Sequence, residues 1–151
     1  MTSVQRHVRI KGYGTALPKH QVTFKDQTRY RVKEDEESQI DLAARAIEQA
    51  LEQAGLTMAD IDCLVSASAV GVQPIPCTAA LIHERVAKRL TIPAMDINTT
   101  CTSFISALST ISYLIEGGEY KRVLIVSSEV GSLGLNPKQK ESYELFSDGA
   151  A

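Results

Sequence analysis

The chain has 151 residues, of which 44% are hydrophobic, so it is long enough and apolar enough to form one domain with a buried core. Its 16 basic and 18 acidic residues leave a net charge of -2, which excludes a bulk electrostatic attraction to nucleic acid or to an anionic membrane. No apolar run approaches the ~20 residues of a membrane span, and the first residues lack the apolar stretch of a signal peptide, so we expect a cytoplasmic protein.

The first third of the chain predicts a strand, an irregular stretch and a helix. Apolar and polar residues alternate over residues 4–14, which indicates a strand, whereas the charged stretch 20–36 is expected to be irregular. Ser38 and Asp41 have the spacing of a capping box, and apolar residues then recur at helical spacing until Gly55. We therefore predict an amphipathic helix between Ser38 and Gly55.

The rest of the chain continues the alternation of strands and helices, without a linker that would divide it into two domains. The patterns predict strands over residues 63–70, 94–98 and 122–130, and helices over residues 77–90 and 102–115. This order predicts one α/β domain over residues 1–151, with helices on both sides of a mixed, mostly parallel sheet.

The cysteines give the sharpest chemical signal. Cys63, Cys77 and Cys101 lie far apart and form no CxxC pair, so we expect neither a disulfide framework nor a metal site. Cys101 stands where a short strand passes through a polar turn into a helix, and the dipole of a helix start favours the reactive thiolate. Because a single cysteine before an apolar helix is often only a buried structural residue, this pattern leaves both interpretations open.

The helix that follows Cys101 is apolar on more than one face, with small residues between the large ones. Such a pattern predicts a helix that is central in the fold rather than half exposed. Cys63 and Cys77 are interpreted as small buried hydrophobes, and the three histidines, His7, His20 and His83, as structural or surface residues.

Four segments, in this order, resemble the first half of the beta-ketoacyl-acyl carrier protein synthase III (3-oxoacyl-ACP synthase III) family: IKGYGTALPKHQVT, DINTTCTSFISAL, GGEYKRVLIVSSEVGS and LFSDGAA. The resemblance covers nearly the whole chain. It implies a thiolase-like fold, in which two similar α/β halves form one enzyme and two chains form a homodimer. It also implies that the carboxy-terminal half, which supplies a catalytic His and Asn, is absent from these residues.

Residue by residue, the resemblance implies that Cys101 is the catalytic, acyl-accepting cysteine and that Phe104 is the aromatic residue beside it. Asp148 and Gly149 match a loop near the site. The implied activity is that of an acyltransferase in fatty acid or related biosynthesis: Cys101 takes an acyl group from acyl-CoA, and malonyl-ACP then condenses with it after decarboxylation. The implied partners are acyl-CoA and acyl carrier protein, with no permanently bound cofactor.

Several residues depart from the family pattern. Ser103 and Ser147 replace family glycines, and the family's tryptophan and arginine motifs for the adenine end of coenzyme A are missing. Arg29 and Arg31 are the candidates to contact phosphates of coenzyme A or of a carrier-protein arm instead, although a solvated charged loop is the simpler interpretation. Two alternatives stay open: a noncatalytic thiolase-like domain that binds an acyl thioester or a partner, and a secondary-metabolite or hydroxymethylglutaryl-CoA synthase type of acyltransferase.

Overall fold

The structure is a computed structural model, and it describes residues 6–25 and 27–151. We number the regular elements in chain order. They are β1 (His20–Phe24), β2 (Gln27–Arg31), α1 (Gln39–Ala54), β3 (Cys63–Ser66), α2 (Thr78–Ala87), β4 (Ala94–Asp96), α3 (Ser103–Glu116), β5 (Val123–Val126), β6 (Ser128–Glu129), α4 (Lys140–Leu145) and β7 (Gly149–Ala150).

A three-stranded parallel sheet forms the centre of the domain, in the order β4-β3-β5. Helices α1 and α2 cover the face that presents Leu64, Leu124 and Val126. Helix α3 covers the opposite face, which presents Cys63 and Val65. The predicted α/β architecture, with helices on both sides of a parallel sheet, is therefore confirmed.

Helix α1 begins and ends where its sequence predicts. The Ser38 hydroxyl accepts a hydrogen bond from the Asp41 N–H, and the Asp41 carboxylate accepts one from the Ser38 N–H. Such a cap stabilises a helix by about 1 kcal/mol. The helix ends at Gly55, whose φ of +64° is a left-handed conformation that glycine adopts without a steric penalty.

Two sequence predictions for the first 36 residues are wrong. Residues 6–15 form no strand, because no neighbouring strand pairs with them among the residues that the structure describes; residues 4 and 5 lie outside the described part. The stretch expected to be irregular instead contains the antiparallel pair β1 and β2. The many charged side chains of this stretch do not indicate a strand, and the strand pair is stabilised by contacts with residues distant in sequence, such as the bonds from Arg29 and Arg31 to α4.

Helix α3 is more exposed than its sequence predicts. Ser103, Ala107, Ile111 and Ser112 are buried against the sheet, whereas Ile105 on another face is 64% exposed. The described residues therefore pack against only one side of this apolar helix. Across the described residues, no helix has the length and apolarity needed to cross a membrane.

Candidate active site

Cys101 lies in the turn between β4 and α3, two residues before the first residue of the helix. Its side chain is exposed, whereas Cys63 is buried and Cys77 is partly buried. This turn follows the carboxyl end of a parallel strand, the edge of α/β sheets where ligands commonly bind. The thiol is therefore reachable from solvent at a position suited to a reaction site.

The backbone of this turn is strained immediately before the cysteine. Thr100 has a φ of +54°, a left-handed conformation that is unfavourable for a β-branched residue. Such strain persists only where the surrounding structure holds it, and it is typical of functional turns. The turn is thus comparable to a nucleophile elbow, in which a sharp strand-to-helix bend exposes the reactive side chain.

Ser103 holds the strained turn in place. Its hydroxyl accepts a hydrogen bond from the Thr99 N–H at 3.0 Å and donates one to the Thr100 oxygen at 2.6 Å. Its side chain is only 2% exposed, so water cannot readily replace these bonds. The serine that departs from the family pattern therefore has a structural role in this chain.

Asn98 connects the cysteine turn to the neighbouring loop. Its side-chain oxygen accepts a hydrogen bond from the Thr100 N–H at 2.9 Å, and its amide nitrogen donates to the Ala69 oxygen at 3.0 Å. The Glu129 carboxylate accepts the Val70 N–H at 3.0 Å and so fixes the same loop to β6. The role of Asn98 was not predicted from the sequence, although an Asn followed by two threonines before a helix is a signal for a side-chain-stabilised turn.

The amino end of α3 keeps its electrostatic attraction for an anion. The N-cap residue Thr102 accepts no hydrogen bond from a helix N–H through its side chain, and its hydroxyl instead donates to the Thr99 main-chain oxygen at 2.8 Å. The N–H groups of the first helical turn therefore receive no side-chain cap. Together with the helix dipole, they favour negative charge on an oxyanion that forms beside the helix start.

Phe104 lies on the exposed side of α3 and is 40% exposed. With Ile105 and Leu108 it lines an apolar groove beside the helix, whereas Cys101 is not among the residues that line this groove. Phe104 follows the cysteine by three residues in sequence, but its side chain lies on the groove surface and not on the surface that exposes Cys101. Its contact with an acyl group stays a prediction.

Arg29 and Arg31 are engaged with the protein itself. The Arg29 side chain donates to the main-chain oxygens of Glu144 and Leu145 at 2.9 and 3.0 Å. Arg31 is 5% exposed, donates to the Tyr143 oxygen and stacks against the Tyr143 ring, with 5.0 Å between guanidinium carbon and ring centroid. Both guanidinium groups attach α4 to β2, and a contact of either group with a phosphate stays a prediction.

Asp148 joins three segments that are distant in sequence. It is 2% exposed, and its carboxylate accepts the Val32 N–H at 2.8 Å, the Ser132 N–H at 3.0 Å and the Ser132 hydroxyl at 2.5 Å. The adjacent Ser147 hydroxyl accepts the Tyr30 N–H at 2.8 Å. The predicted loop near the site is a structural junction, and the second serine that departs from the family pattern contributes to it.

The other two cysteines differ from Cys101 in their surroundings. Cys63 lies in β3, and burial raises the pKa of its thiol. Cys77 precedes α2, but the Asp96 carboxylate already caps that helix by accepting the N–H groups of Thr78 and Ala79 at 2.9 and 2.7 Å. The helix start at Cys77 is therefore neutralised by a carboxylate, whereas the helix start at Cys101 is not capped by a side chain.

None of the three histidines contacts Cys101 within the described residues. His7 bonds to Glu116, at the opposite end of α3; at 1.5 Å per residue, this is about 20 Å from the cysteine. His20 begins β1, and the Nε2 atom of His83 is buried in the region of α2. A catalytic histidine for Cys101 is thus not supplied by these positions.

Comparisons with known proteins agree with this architecture. The family model described as 3-oxoacyl-[acyl-carrier-protein (ACP)] synthase III matches residues 95–151, which contain the last two residues of β4, the cysteine turn and α3. A beta-ketoacyl-[acyl-carrier-protein] synthase III of Chelativorans sp. (strain BNC1) is 34% identical over 158 residues, covering 93% of this chain and 49% of that protein.

Solved structures show the same relation. The 3-oxoacyl-[acyl-carrier-protein] synthase III of Aquifex aeolicus VF5 superimposes with a TM-score of 0.85 at 27% identity, covering 93% of this chain and 51% of that one. A tetronic acid condensing enzyme superimposes with a TM-score of 0.80 at 26% identity, covering 95% of this chain and 49% of that one. The chain therefore spans about half the length of the relatives that it matches.

Proposed function

The chain corresponds to the amino-terminal half of the 3-oxoacyl-[acyl-carrier-protein] synthase III family, and from this premise we propose that Cys101 is the nucleophile that accepts an acyl group in a condensing enzyme. One observation carries the proposal: the exposed thiol follows a strained residue and lies two residues before the start of an apolar helix whose N-cap side chain makes no hydrogen bond to it.

The proposed first step is a transfer between thioesters. The Cys101 thiolate attacks the carbonyl carbon of acyl-CoA, and the negative charge that develops on the oxygen is stabilised by main-chain N–H groups of the turn and the helix start. The bond to the coenzyme A sulfur then breaks, and coenzyme A leaves as its thiolate. The acyl group remains on Cys101 as a thioester.

The second step is proposed for the whole protein, of which this chain corresponds to half. A malonyl group on acyl carrier protein loses carbon dioxide, and the resulting carbanion attacks the acyl carbon on Cys101. The product is a 3-oxoacyl-ACP whose acyl chain is two carbons longer than the acyl group that Cys101 carried, and the cysteine is released as thiolate. The His and Asn that the family resemblance implies for this step are expected from the other half, and within the described residues none of the three histidines contacts Cys101. We expect acyl-CoA and acyl carrier protein as partners.

Incubation of the chain with a short acyl-CoA, followed by intact-mass and peptide mass spectrometry, tests the first step. We expect one acyl group per chain, located on Cys101, and none on the Cys101→Ala variant. Cys77 is the internal control, because it also precedes a helix but one that Asp96 already caps. Reversible binding of acyl-CoA without acylation would instead favour a noncatalytic acyl-thioester-binding domain.

A second candidate is a condensing enzyme of secondary metabolism, favoured by the likeness to the tetronic acid condensing enzyme. It shares the proposed acyl transfer to Cys101. A panel of acyl-CoA and acyl-ACP donors tests the choice: acylation chiefly by short acyl-CoA would favour the fatty acid enzyme, and acylation chiefly by another donor would favour the alternative.

A homodimer is also proposed. β4 is an edge strand of the sheet, so its outer main-chain groups are available for pairing with a second copy. Sedimentation equilibrium of the chain tests this, and a monomer at all concentrations would contradict it for these residues.

A further inference from the structure

The loop that follows β3 is held by side chains rather than by a strand or a helix. Ala69 and Val70 belong to no regular element, yet each of their four main-chain polar groups has a side-chain partner. The Glu129 carboxylate accepts the N–H groups of Ala69 and Val70, at 2.5 and 3.0 Å. The Asn98 amide donates to the Ala69 oxygen at 3.0 Å. The Gln39 amide donates to the Val70 oxygen at 2.7 Å. Because main-chain polar groups away from water need partners, these three side chains determine where the loop lies.

The anchor at Gln39 is part of a buried polar cluster. Gln39 is the first residue of α1 and is 8% exposed. Its amide nitrogen also donates to the Ser128 oxygen at 2.6 Å, and the Ser128 hydroxyl donates to the Gln39 oxygen at 2.9 Å. The Ser128 N–H donates in turn to the buried Ser68 hydroxyl at 2.9 Å. Since water cannot readily replace bonds at such buried sites, the loop is attached firmly to α1 and β6.

Asn98 joins this anchored loop to the residue before the cysteine. Its side-chain oxygen accepts the Thr100 N–H at 2.9 Å. The oxygen of Thr100 accepts the N–H and the hydroxyl of Ser103, at 3.0 and 2.6 Å. Both main-chain ends of Thr100 are therefore fixed, one by α3 and the other, through Asn98, by the loop.

The conformation of Thr100 determines the direction of the next side chain. Its φ of +54° is unfavourable for a β-branched residue and persists only while the surrounding bonds outweigh the strain. A return to the right-handed region, at a φ of about −60°, would rotate the main chain immediately before Cys101. The thiol and the N–H groups of the turn would then point in new directions.

We propose that Asn98 is a positioning residue for Cys101, and that Glu129 and Gln39 act through Asn98 by holding the loop to which it bonds. The proposal rests on the proposed acyl transfer to Cys101 and adds residues from the turn, from β6 and from α1 to those that determine its rate. An asparagine suits this position because its side chain offers one acceptor, used by Thr100, and a donor group, used by Ala69.

Two substitutions of Asn98 test its role. Asn98→Ala removes both bonds, whereas Asn98→Asp keeps an oxygen for the Thr100 N–H. In Asn98→Ala we expect a short acyl-CoA to acylate Cys101 about tenfold more slowly at an unchanged half-saturating concentration. The main-chain NMR chemical shifts of Thr100 should leave the left-handed range in Asn98→Ala and remain in it in Asn98→Asp. Left-handed shifts in Asn98→Ala would overturn the proposal, as would an unchanged acylation rate in a variant that is merely less stable to urea.

The action of Glu129 through Asn98 has its own test. Glu129→Gln keeps the shape of the side chain but removes one of its two acceptor oxygens, so acylation should slow about threefold and the Thr100 shifts should move. The double variant Asn98→Ala/Glu129→Gln should be no slower than Asn98→Ala alone, whereas multiplied effects would refute an action through Asn98. Glu48→Gln is the matched control, because Glu48 is exposed on α1, and it should keep the wild-type rate.

The two proposals fail in different ways. If the wild-type chain takes up no acyl group, the proposed acyl transfer fails. The Thr100 shifts in Asn98→Ala and Glu129→Gln then decide by themselves whether these side chains hold the cysteine turn, and unchanged shifts in both variants would reject the positioning role.

Discussion

Removal of the Ser103 hydroxyl should loosen the turn that presents Cys101. In Ser103→Ala, the Thr99 N–H and the Thr100 oxygen lose their partner at a site that is 2% exposed. Each lost hydrogen bond costs about 1 kcal/mol net, and the better helix propensity of alanine recovers a few tenths. We therefore expect the free energy of unfolding to fall by about 1.5–2 kcal/mol, which lowers the Tm of a domain of this size by about 3–8 °C.

Urea and thermal unfolding of wild type and Ser103→Ala measure this loss. Ser109→Ala is the matched control, because Ser109 lies on the exposed side of the same helix and its replacement should change stability by less than about 0.5 kcal/mol. A second readout is the rate at which iodoacetamide alkylates Cys101, which should change in Ser103→Ala while the rate at Cys77 does not. Equal unfolding energies for the two alanine variants would refute the role of Ser103 in holding the turn.

Three further predictions concern other parts of the chain. Gly14→Ala should destabilise the protein by about 1–3 kcal/mol in urea unfolding, because a Cβ there would overlap main-chain atoms of α1. Gly134→Ala is the control and should not destabilise the protein, because Gly134 has open space around it. Similar losses of stability in both variants would contradict the close packing at Gly14. The N–H groups of Arg122 and Lys121 hold the pKa of Asp62 below its ordinary value of 3.8, so the carboxylate contributes stability above pH ~4 that is lost as the pH falls through the lowered pKa. Unfolding at pH 7 and pH 3 should show a smaller acid loss for Asp62→Asn than for wild type, and parallel pH curves would disprove this linkage. Mass spectrometry after alkylation should find Cys63 unmodified until the protein unfolds, because burial raises the pKa of its thiol; early modification in the native state would contradict its burial.

The two serines that replace family glycines change the interpretation of the departures. From the sequence, Ser103 and Ser147 are departures from the family pattern that leave a noncatalytic domain open as an alternative. In the structure, Ser103 stabilises the cysteine turn and Ser147 bonds to Tyr30 in β2. Because both hydroxyls satisfy main-chain groups in this chain, the substitutions are compatible with an acyl-accepting site and do not by themselves favour a noncatalytic domain.

The sequence alone determined the elements that depend on local interactions. The helix between Ser38 and Gly55 follows from a capping box, an apolar stripe and a left-handed glycine, all of which act within a few residues. The position of Cys101 before a helix likewise follows from a short strand, a polar turn and an apolar run. The resemblance to the condensing-enzyme family depended on such local motifs, taken in order.

The tertiary structure alone decided the features that depend on distant partners. The burial of Arg31 could not be read from its charged sequence context, because it depends on the Tyr143 ring and carbonyl, more than a hundred residues away, which receive its guanidinium group. Residues 8–14 have a strand pattern but form no strand, since a strand exists only where a neighbour completes its hydrogen bonds. Local patterns encode conformational preference, whereas pairing and burial are set by which segments the fold brings together.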